Sequence, residues 1–320
     1  GIVSPWNYPV QLALAPAIGA LAAGNRVMLK PSEVTPATSA LLAEAIAERF
    51  APDEFTVVTG GADTGAAFAR LPFDHLFFTG STAVGRIVAK AAAENLTPVT
   101  LELGGKSPAI VDASADLAIV APRIAVGKLL NAGQTCIAPD YALVPEREVN
   151  AFVDAVTRAI GRLYPDPLRG ADYTSIVNER HYERLVALID DARVKGARIV
   201  SIPESAAPDP ATRRIPPTLV VGANESMQLM HEEIFGPILP VESYARLDDA
   251  IAAVVRRPRP LACYVFAEDR GARDRILRET IAGGVTVNDT LWHFAHEELP
   301  FGGVGASGMG AYHGEAGFRT

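Results

Sequence analysis

Short apolar runs, most of them stopped by glycine, alternate with segments of helical period over about the first 110 residues, and this alternation restricts the fold more than any other feature. Apolar runs at 26–30, 55–58, 75–79 and 99–103 are predicted strands; the last three stop at Gly60-Gly61, Gly80 and Gly104-Gly105. Gly24-Asn25 marks a helix end ahead of the first run. Thr35-Pro36 is expected to cap a helix, with proline at its first position, and Leu42, Ala45, Ile46 and Phe50 follow at helical spacing. A second helix is predicted over 82–94. The chain opens on Gly1-Ile2-Val3, without Met and as if inside a strand, which is the expectation for a piece of a longer protein. Repeated strand–helix–strand units require right-handed crossovers and a parallel sheet covered on both faces. The predicted fold is therefore a doubly wound α/β domain, with ligands outside the carboxyl ends of its strands.

The second half alternates again. Helices are predicted at 117–130, 146–163, 179–195 and 247–256, and strands at 141–144, 218–221, 262–266 and 285–288. Residues 203–217 hold five prolines and are predicted to be loop. The glycine-rich tail, 300–317, is expected to be neither strand nor helix and to wrap back across the molecule.

With 320 residues, the chain is long enough for about two domains. Its 49% apolar and 21% charged residues exclude a disordered chain. Net charge is −8, and the densest basic cluster, Arg256-Arg257-Pro258-Arg259, is too short to grip a phosphate backbone, so no nucleic-acid partner is expected. The most apolar stretch, 10–24, contains Pro16 and falls short of the ~20 residues that span a bilayer, so no membrane segment is expected. Two cysteines, Cys136 and Cys263, exclude a disulfide framework and suit a reducing, cytoplasmic setting. No histidine reaches H-E-x-x-H and no Cys/His pair has zinc spacing, so no metal is expected.

Four segments could carry chemistry. Cys263 sits in an apolar strand-like run, as a buried cysteine does. Cys136 instead follows Gly133-Gln134-Thr135 and precedes Ile137-Ala138-Pro139, just past a predicted helix, where a thiol can face a cleft. Glu102 ends an otherwise apolar strand, where a carboxylate must be functional or paired, with Lys106 the nearby partner. Gly80-Ser81-Thr82-Ala83-Val84-Gly85 lies between a strand and a helix and suits either an anion at a helix N-terminus or a plain turn; it matches neither G-x-G-x-x-G nor the P-loop. Asn7, in Ser4-Pro5-Trp6-Asn7-Tyr8-Pro9, could offer its amide to an oxyanion or cap a helix.

Taken together, these segments resemble the NAD(P)-dependent aldehyde dehydrogenase superfamily. LELGGKSP around Glu102 looks like its glutamate signature, and GQTCIA around Cys136 like its cysteine signature. PWNYP, LKPSE, FTGSTAVG, EEIFGP and PFGGVGASG occur in the family's order, and GQTCIAPDY and GVGASGMGAYHG look closest to its class 3, fatty-aldehyde and coniferyl-aldehyde branch. The resemblance covers essentially the whole chain. It implies a doubly wound parallel-sheet cofactor domain over 1–104, lacking an N-terminal part, an α/β catalytic domain over 105–305, and the start of a C-terminal return segment over 306–320.

The resemblance also implies roles. Cys136 would be the nucleophile, Glu102 the base, and Asn7 an oxyanion donor. Lys30 and Glu33 would meet the adenosine ribose, and Gly80, Ser81 and Val84 the pyrophosphate and adenine side. Trp6, Leu103, Glu233 and Phe235 would complete the cofactor contacts. The implied cofactor is NAD, with NADP tolerated. The implied partner is a small aldehyde, aromatic or medium-to-long aliphatic, since Leu291-Trp292-His293-Phe294 would line the substrate mouth unless its rings only pack the loop down. The parent would be a homodimer. A CoA-acylating enzyme, an inert fragment, a non-enzymatic relative and a thiol hydrolase are the rivals; Glu102 argues against the first.

Overall fold

The computed structural model describes all 320 residues. The chain begins with β1 (Ile2–Val3), α1 (Gln11–Ala22), β2 (Val27–Lys30), α2 (Pro36–Ala47), β3 (Phe55–Val57), α3 (Ala62–Phe68), β4 (Leu76–Thr79), α4 (Thr82–Ala93) and β5 (Val99–Glu102). Next come β6 (Pro108–Val111), α5 (Leu117–Leu129), β7 (Tyr141–Pro145), α6 (Val149–Leu163), α7 (Glu179–Val194), β8 (Arg198–Ser201), β9 (Thr218–Val221) and β10 (Ile238–Tyr244). It finishes with α8 (Leu247–Arg256), β11 (Ala262–Phe266), α9 (Arg270–Glu279), β12 (Gly284–Val287), α10 (Trp292–Ala295), β13 (Gly308–Met309) and α11 (Gly314–Arg319). Two compact units result: Gly1–Gly104 with Phe294–Thr320, and Gly105–His293.

The first unit is built on a sheet of order β13-β5-β4-β1-β2-β3, parallel except for β13. From β1 the chain steps outward through β2 to β3, then returns to lay β4 and β5 on the other side of β1. The winding therefore reverses between β1 and β4, the place where α/β sheets open a crevice for ligands. Phe68, Leu76, Phe78, Val88, Leu101 and Leu103 form a core cluster. Ser81 occupies the N-cap of α4, and its hydroxyl accepts from the Val84 N–H at 3.4 Å. Thr35 departs from expectation. It holds the cap position of α2, but its hydroxyl is buried without a hydrogen-bond partner, and only its carbonyl serves the helix, accepting from Ser39 at 3.0 Å. Pro36 at the first position removes one of the donors a cap would satisfy.

The tail corrects a second expectation. It contains β13, antiparallel to β5, and a terminal helix, α11. Gly308 makes the strand possible: its φ is +150, and a Cβ there would lie 2.2 Å from the Leu101 carbonyl oxygen. Glycine is thus demanded by close backbone approach rather than by looseness.

The second unit holds a seven-stranded sheet of order β12-β11-β6-β7-β10-β9-β8, parallel except at the β8–β9 edge. Tyr141, Tyr264, Phe152, Phe266 and Ile110 are fully buried in it. Asp116, Asn178 and Asp269 cap α5, α7 and α9 through side-chain oxygens. The predicted helix over 146–163 begins as a 3₁₀ turn, Glu146–Glu148, before α6. No helix of the chain is long and apolar enough to cross a membrane.

Candidate active site

Three of the predicted segments lie at carboxyl ends of strands in the first unit. Trp6 and Asn7 follow β1, Lys30 ends β2 with Glu33 just beyond, and Gly80 and Ser81 follow β4. The β1 and β4 segments flank the reversal in winding. Asn7 is half-buried and does not cap α1; that position belongs to Val10, which offers no side-chain bond. The Lys30 ammonium is buried and donates to Glu33 at 2.7 Å. That bond, set against some desolvation, holds the Glu33 carboxyl below its usual range. Glu33 is therefore an ionised carboxylate with about half its side chain in solvent (48%). Ser81, Ala83 and Val84, in and before the first turn of α4, are exposed.

Glu102 is the last residue of β5 and is 2% exposed. Its neighbours across the ladders are Thr79 of β4 and Gly308 of β13. Two backbone bonds fix this strand end: Gly80 donates to the Glu102 carbonyl at 3.0 Å, and Leu103 donates to the Ser307 carbonyl at 3.0 Å. Thr82 adds a third tie, its hydroxyl donating to the Ala306 carbonyl at 3.0 Å. Neither carboxyl oxygen of Glu102 has a hydrogen-bond partner. Burial alone raises its pKa well above the ordinary carboxylate range. The ion pair with Lys106, the structural role open to Glu102, does not form, because Lys106 is bound to Asp140.

In the second unit, α5 ends at Leu129 and the backbone turns left-handed through Asn131 (φ 53), Ala132 (φ 52) and Gly133 (φ +75). For residues bearing a Cβ such angles cost about 1–2 kcal/mol each and persist only where surroundings enforce them. Gly133 is required twice over, since a Cβ there would meet the Gly236 carbonyl oxygen at 2.3 Å. Gln134 pins the turn from its other side, donating to the Asn131 and Ser175 carbonyls and accepting from Val177 at 3.0 Å. Cys136 follows, half-buried, on a turn closed by Ala138 donating to the Thr135 carbonyl at 3.0 Å. The Tyr264 hydroxyl donates to the Ile137 carbonyl. Cys263 is buried inside β11, and burial pushes its thiol up to about 12, which leaves it inert. Neither cysteine forms a disulfide.

The whole chain, residues 1–320, matches the model of the aldehyde dehydrogenase family. The chain belongs to that family. It is 55% identical to a probable coniferyl aldehyde dehydrogenase of Pseudomonas aeruginosa, over all of this chain and 66% of that protein. It therefore spans just under two thirds of the length of this relative. Among aldehyde dehydrogenase structures, the substrate-bound Staphylococcus aureus AldH superposes with a TM-score of 0.95 at 45% identity, covering 99% of this chain and 69% of that one. The Mycobacterium tuberculosis aldehyde dehydrogenase complexed with NAD+ gives 0.89 at 35% identity, covering 100% and 66%.

Glu233 and Phe235 lie in the irregular stretch between the turn Gln228–Met230 and β10. Phe235 has φ 51. Burial and then the Asp140 carboxylate raise the Glu233 pKa, opposed by a backbone hydrogen bond from Gly105 and by Lys106. In 291–294, Trp292 is 64% exposed, while Phe294 packs edge-on to Phe301 with ring centroids 5.0 Å apart. The rings thus divide between open and packed. His293 bonds Thr286 at 2.8 Å through Nδ1, and burial lowers its pKa to about 4, so the ring stays neutral. Asp140, Arg184 and Tyr264 were not singled out in the sequence, and Lys106 pairs with Asp140 instead of Glu102.

Proposed function

We propose that the protein carrying this chain oxidises an aldehyde to a carboxylic acid with NAD(P)+ through a thioester on Cys136. The observation that carries this reading is Glu102, a wholly buried carboxyl with two unpartnered oxygens at the carboxyl end of a parallel sheet. A group so destabilised has a use in catalysis that structure alone would not repay. Burial raises its pKa, the direction that makes a carboxylate a stronger general base.

The Cys136 thiolate adds to the aldehyde carbon. The side-chain amide of Asn7 and the Cys136 N–H stabilise the oxyanion; losing one such donor typically costs about 10²–10³ in turnover. When bound, the nicotinamide supplies the hydride acceptor. The carbon is then an acyl group on Sγ. Glu102 takes a proton from water as that water adds to the thioester, and the acid leaves with return of the thiolate.

The residues of the first unit fit a dinucleotide. The reversal between β1 and β4 supplies a crevice, the exposed start of α4 supplies N–H groups for phosphate, and ionised Glu33 supplies an acceptor for ribose hydroxyls. Lys30, Glu33, Gly80, Ser81 and Val84 would hold the adenosine diphosphate half. Trp6, Leu103, Glu233 and Phe235 would hold the nicotinamide half. Glu33 repels a 2′-phosphate and Lys30 attracts one, so NAD is favoured and NADP tolerated.

Likeness to a probable coniferyl aldehyde dehydrogenase and the exposed Trp292 support an aromatic aldehyde as substrate. Two cysteines outside any disulfide support a cytoplasmic setting, and the family resemblance supports a homodimer. The test is the full-length protein with cinnamyl-type, benzylic and long aliphatic aldehydes and both nicotinamides. Expected are NADH formation, the free acid as product, and no turnover in Cys136→Ala. Unchanged turnover in that variant overturns the nucleophile, and acyl-CoA as the product overturns hydrolysis by Glu102.

A further inference from the structure

The stretch that carries Glu233 and Phe235 has neither helix nor strand to hold it, yet Phe235 keeps a left-handed backbone. Three charged side chains fasten it. The Lys106 ammonium, 7% exposed, donates to the Leu229 carbonyl at 2.7 Å and the Glu232 carbonyl at 3.1 Å, and pairs with Asp140 Oδ2. Asp140 uses its other oxygen, Oδ1, to accept from the Ile234 N–H at 2.9 Å. Arg184 donates to the Glu233 and Ile234 carbonyls.

The same pair fastens the thiol segment. Asp140 lies four residues after Cys136, and its N–H donates to the Ser107 carbonyl at 2.7 Å. Three stretches therefore meet on one buried ion pair: 105–107, 136–140 and 229–234. Gly133 closes the same contact, with Gly236 too near for any Cβ between them. Besides each other, the pair engages three backbone groups, the Leu229 and Glu232 carbonyls and the Ile234 N–H, so it specifies a relative placement rather than a general attraction.

We propose that Lys106 and Asp140 are positioning residues, which hold the Glu233–Phe235 segment in register with the Cys136 segment and thereby set affinity for the nicotinamide half of the cofactor. This rests on the cofactor reading above. Neither residue touches the reacting atoms. With Asp140 truncated, the Ile234 N–H loses its acceptor and the Lys106 ammonium its counter-charge, and the segment bearing Glu233 and Phe235 is free to shift.

The experiment is a fluorescence titration with NADH on the full-length protein and its Asp140→Ala, Asp140→Asn and Lys106→Met variants. It is paired with KM for NAD and for aldehyde, thermal midpoints, and the rate of Cys136 alkylation by iodoacetamide. Asp140→Ala is expected to weaken NADH binding and raise KM for NAD about tenfold, with KM for aldehyde and the alkylation rate within about twofold. Asp140→Asn keeps an acceptor for Ile234 and is expected to recover part of the loss. Folded variants that bind NADH like the parent overturn the proposal. So do constants for both substrates that worsen together with a lower midpoint, and so does failure of all three variants to fold, since the pair would then be a folding determinant. If the parent itself does not bind NADH, the cofactor reading fails and this proposal with it.

Discussion

Thr79 and Glu102 are register partners across the β4–β5 ladder, and both side chains are buried with polar atoms that have no hydrogen-bond partner. Two such groups side by side at a sheet end are costly: each unmet buried polar atom destabilises by about 1–3 kcal/mol. The strand end is nevertheless tied down on both flanks by Gly80 and Ser307. The sheet holds a carboxyl in a place it would otherwise leave.

Glu102→Gln separates the energetic and catalytic consequences. With the folded pKa raised, folded and unfolded chains are both protonated below about pH 4.5. Above that, the unfolded chain ionises first and binds fewer protons, so stability falls by up to about 1.4 kcal/mol per pH unit until the folded group also ionises. Gln removes the titration. Thermal midpoints of parent and variant should converge at low pH and diverge in favour of Gln as pH rises; a gap independent of pH would contradict the burial argument. In activity the same variant should show a burst of NADH and slow deacylation, visible in rapid-mixing kinetics.

Lys128 gives the opposite pH window. It is 2% exposed in α5, and burial, with Lys106 pushing the same way, lowers its pKa to about 8 against the pull of Asp140 and Glu233. Below pH 8 both states are charged and the folded protein bears the full penalty, on the order of 3 kcal/mol. Between about 8 and 10.5 the unfolded chain holds a proton the folded one has lost, so parent stability rises with pH. Lys128→Met should therefore stabilise most below pH 8, with the advantage shrinking towards 10.5. Denaturant midpoints across that range measure it, and an advantage that grows with pH would be the wrong sign.

Much of this architecture was legible because the strands carry their own stops. Thr218–Val221, Leu247–Arg256 and Ala262–Phe266 match their predicted bounds. β10 was not foreseen, because Pro240 argues against an interior strand. It is tolerated because the register with β7 starts only at Val241. α9 escaped because a single residue, Ile276, is buried along its ten-residue length, leaving almost no apolar period. Among the candidate site residues, Cys136 and Glu102, whose roles come from the family resemblance, stand out by local composition. The partners of Lys106 do not, since Asp140 and Leu229 lie 34 and 123 residues away, beyond any local pattern.

Glu33→Gln tests cofactor choice. The carboxylate is about half exposed and ionised; as proposed, its charge would oppose a 2′-phosphate while its oxygens would accept from ribose hydroxyls. Gln keeps an acceptor and removes the repulsion, leaving buried Lys30 uncompensated beside the same site. The ratio of kcat/KM for NADP to that for NAD should rise about tenfold, equivalent to about 1.4 kcal/mol. An unchanged ratio would remove Glu33 from the ribose.

Gly308→Ala joins the tail to catalysis. A methyl group at 308 would stand 2.2 Å from the Leu101 carbonyl oxygen at φ +150, so β13 must lift from β5. Gly24→Ala is the control: its φ is +83, but nothing lies within 4 Å of the new Cβ. Both substitutions introduce backbone strain, roughly 1–3 kcal/mol, yet only Gly308→Ala also breaks a contact. Gly24→Ala should lower the thermal midpoint slightly and leave kcat alone. Gly308→Ala should lower the midpoint by several degrees and, because Gly308 is the register partner of Glu102, slow deacylation while NADH affinity holds. Equal kcat in the two variants would show that the return strand does not steady the base.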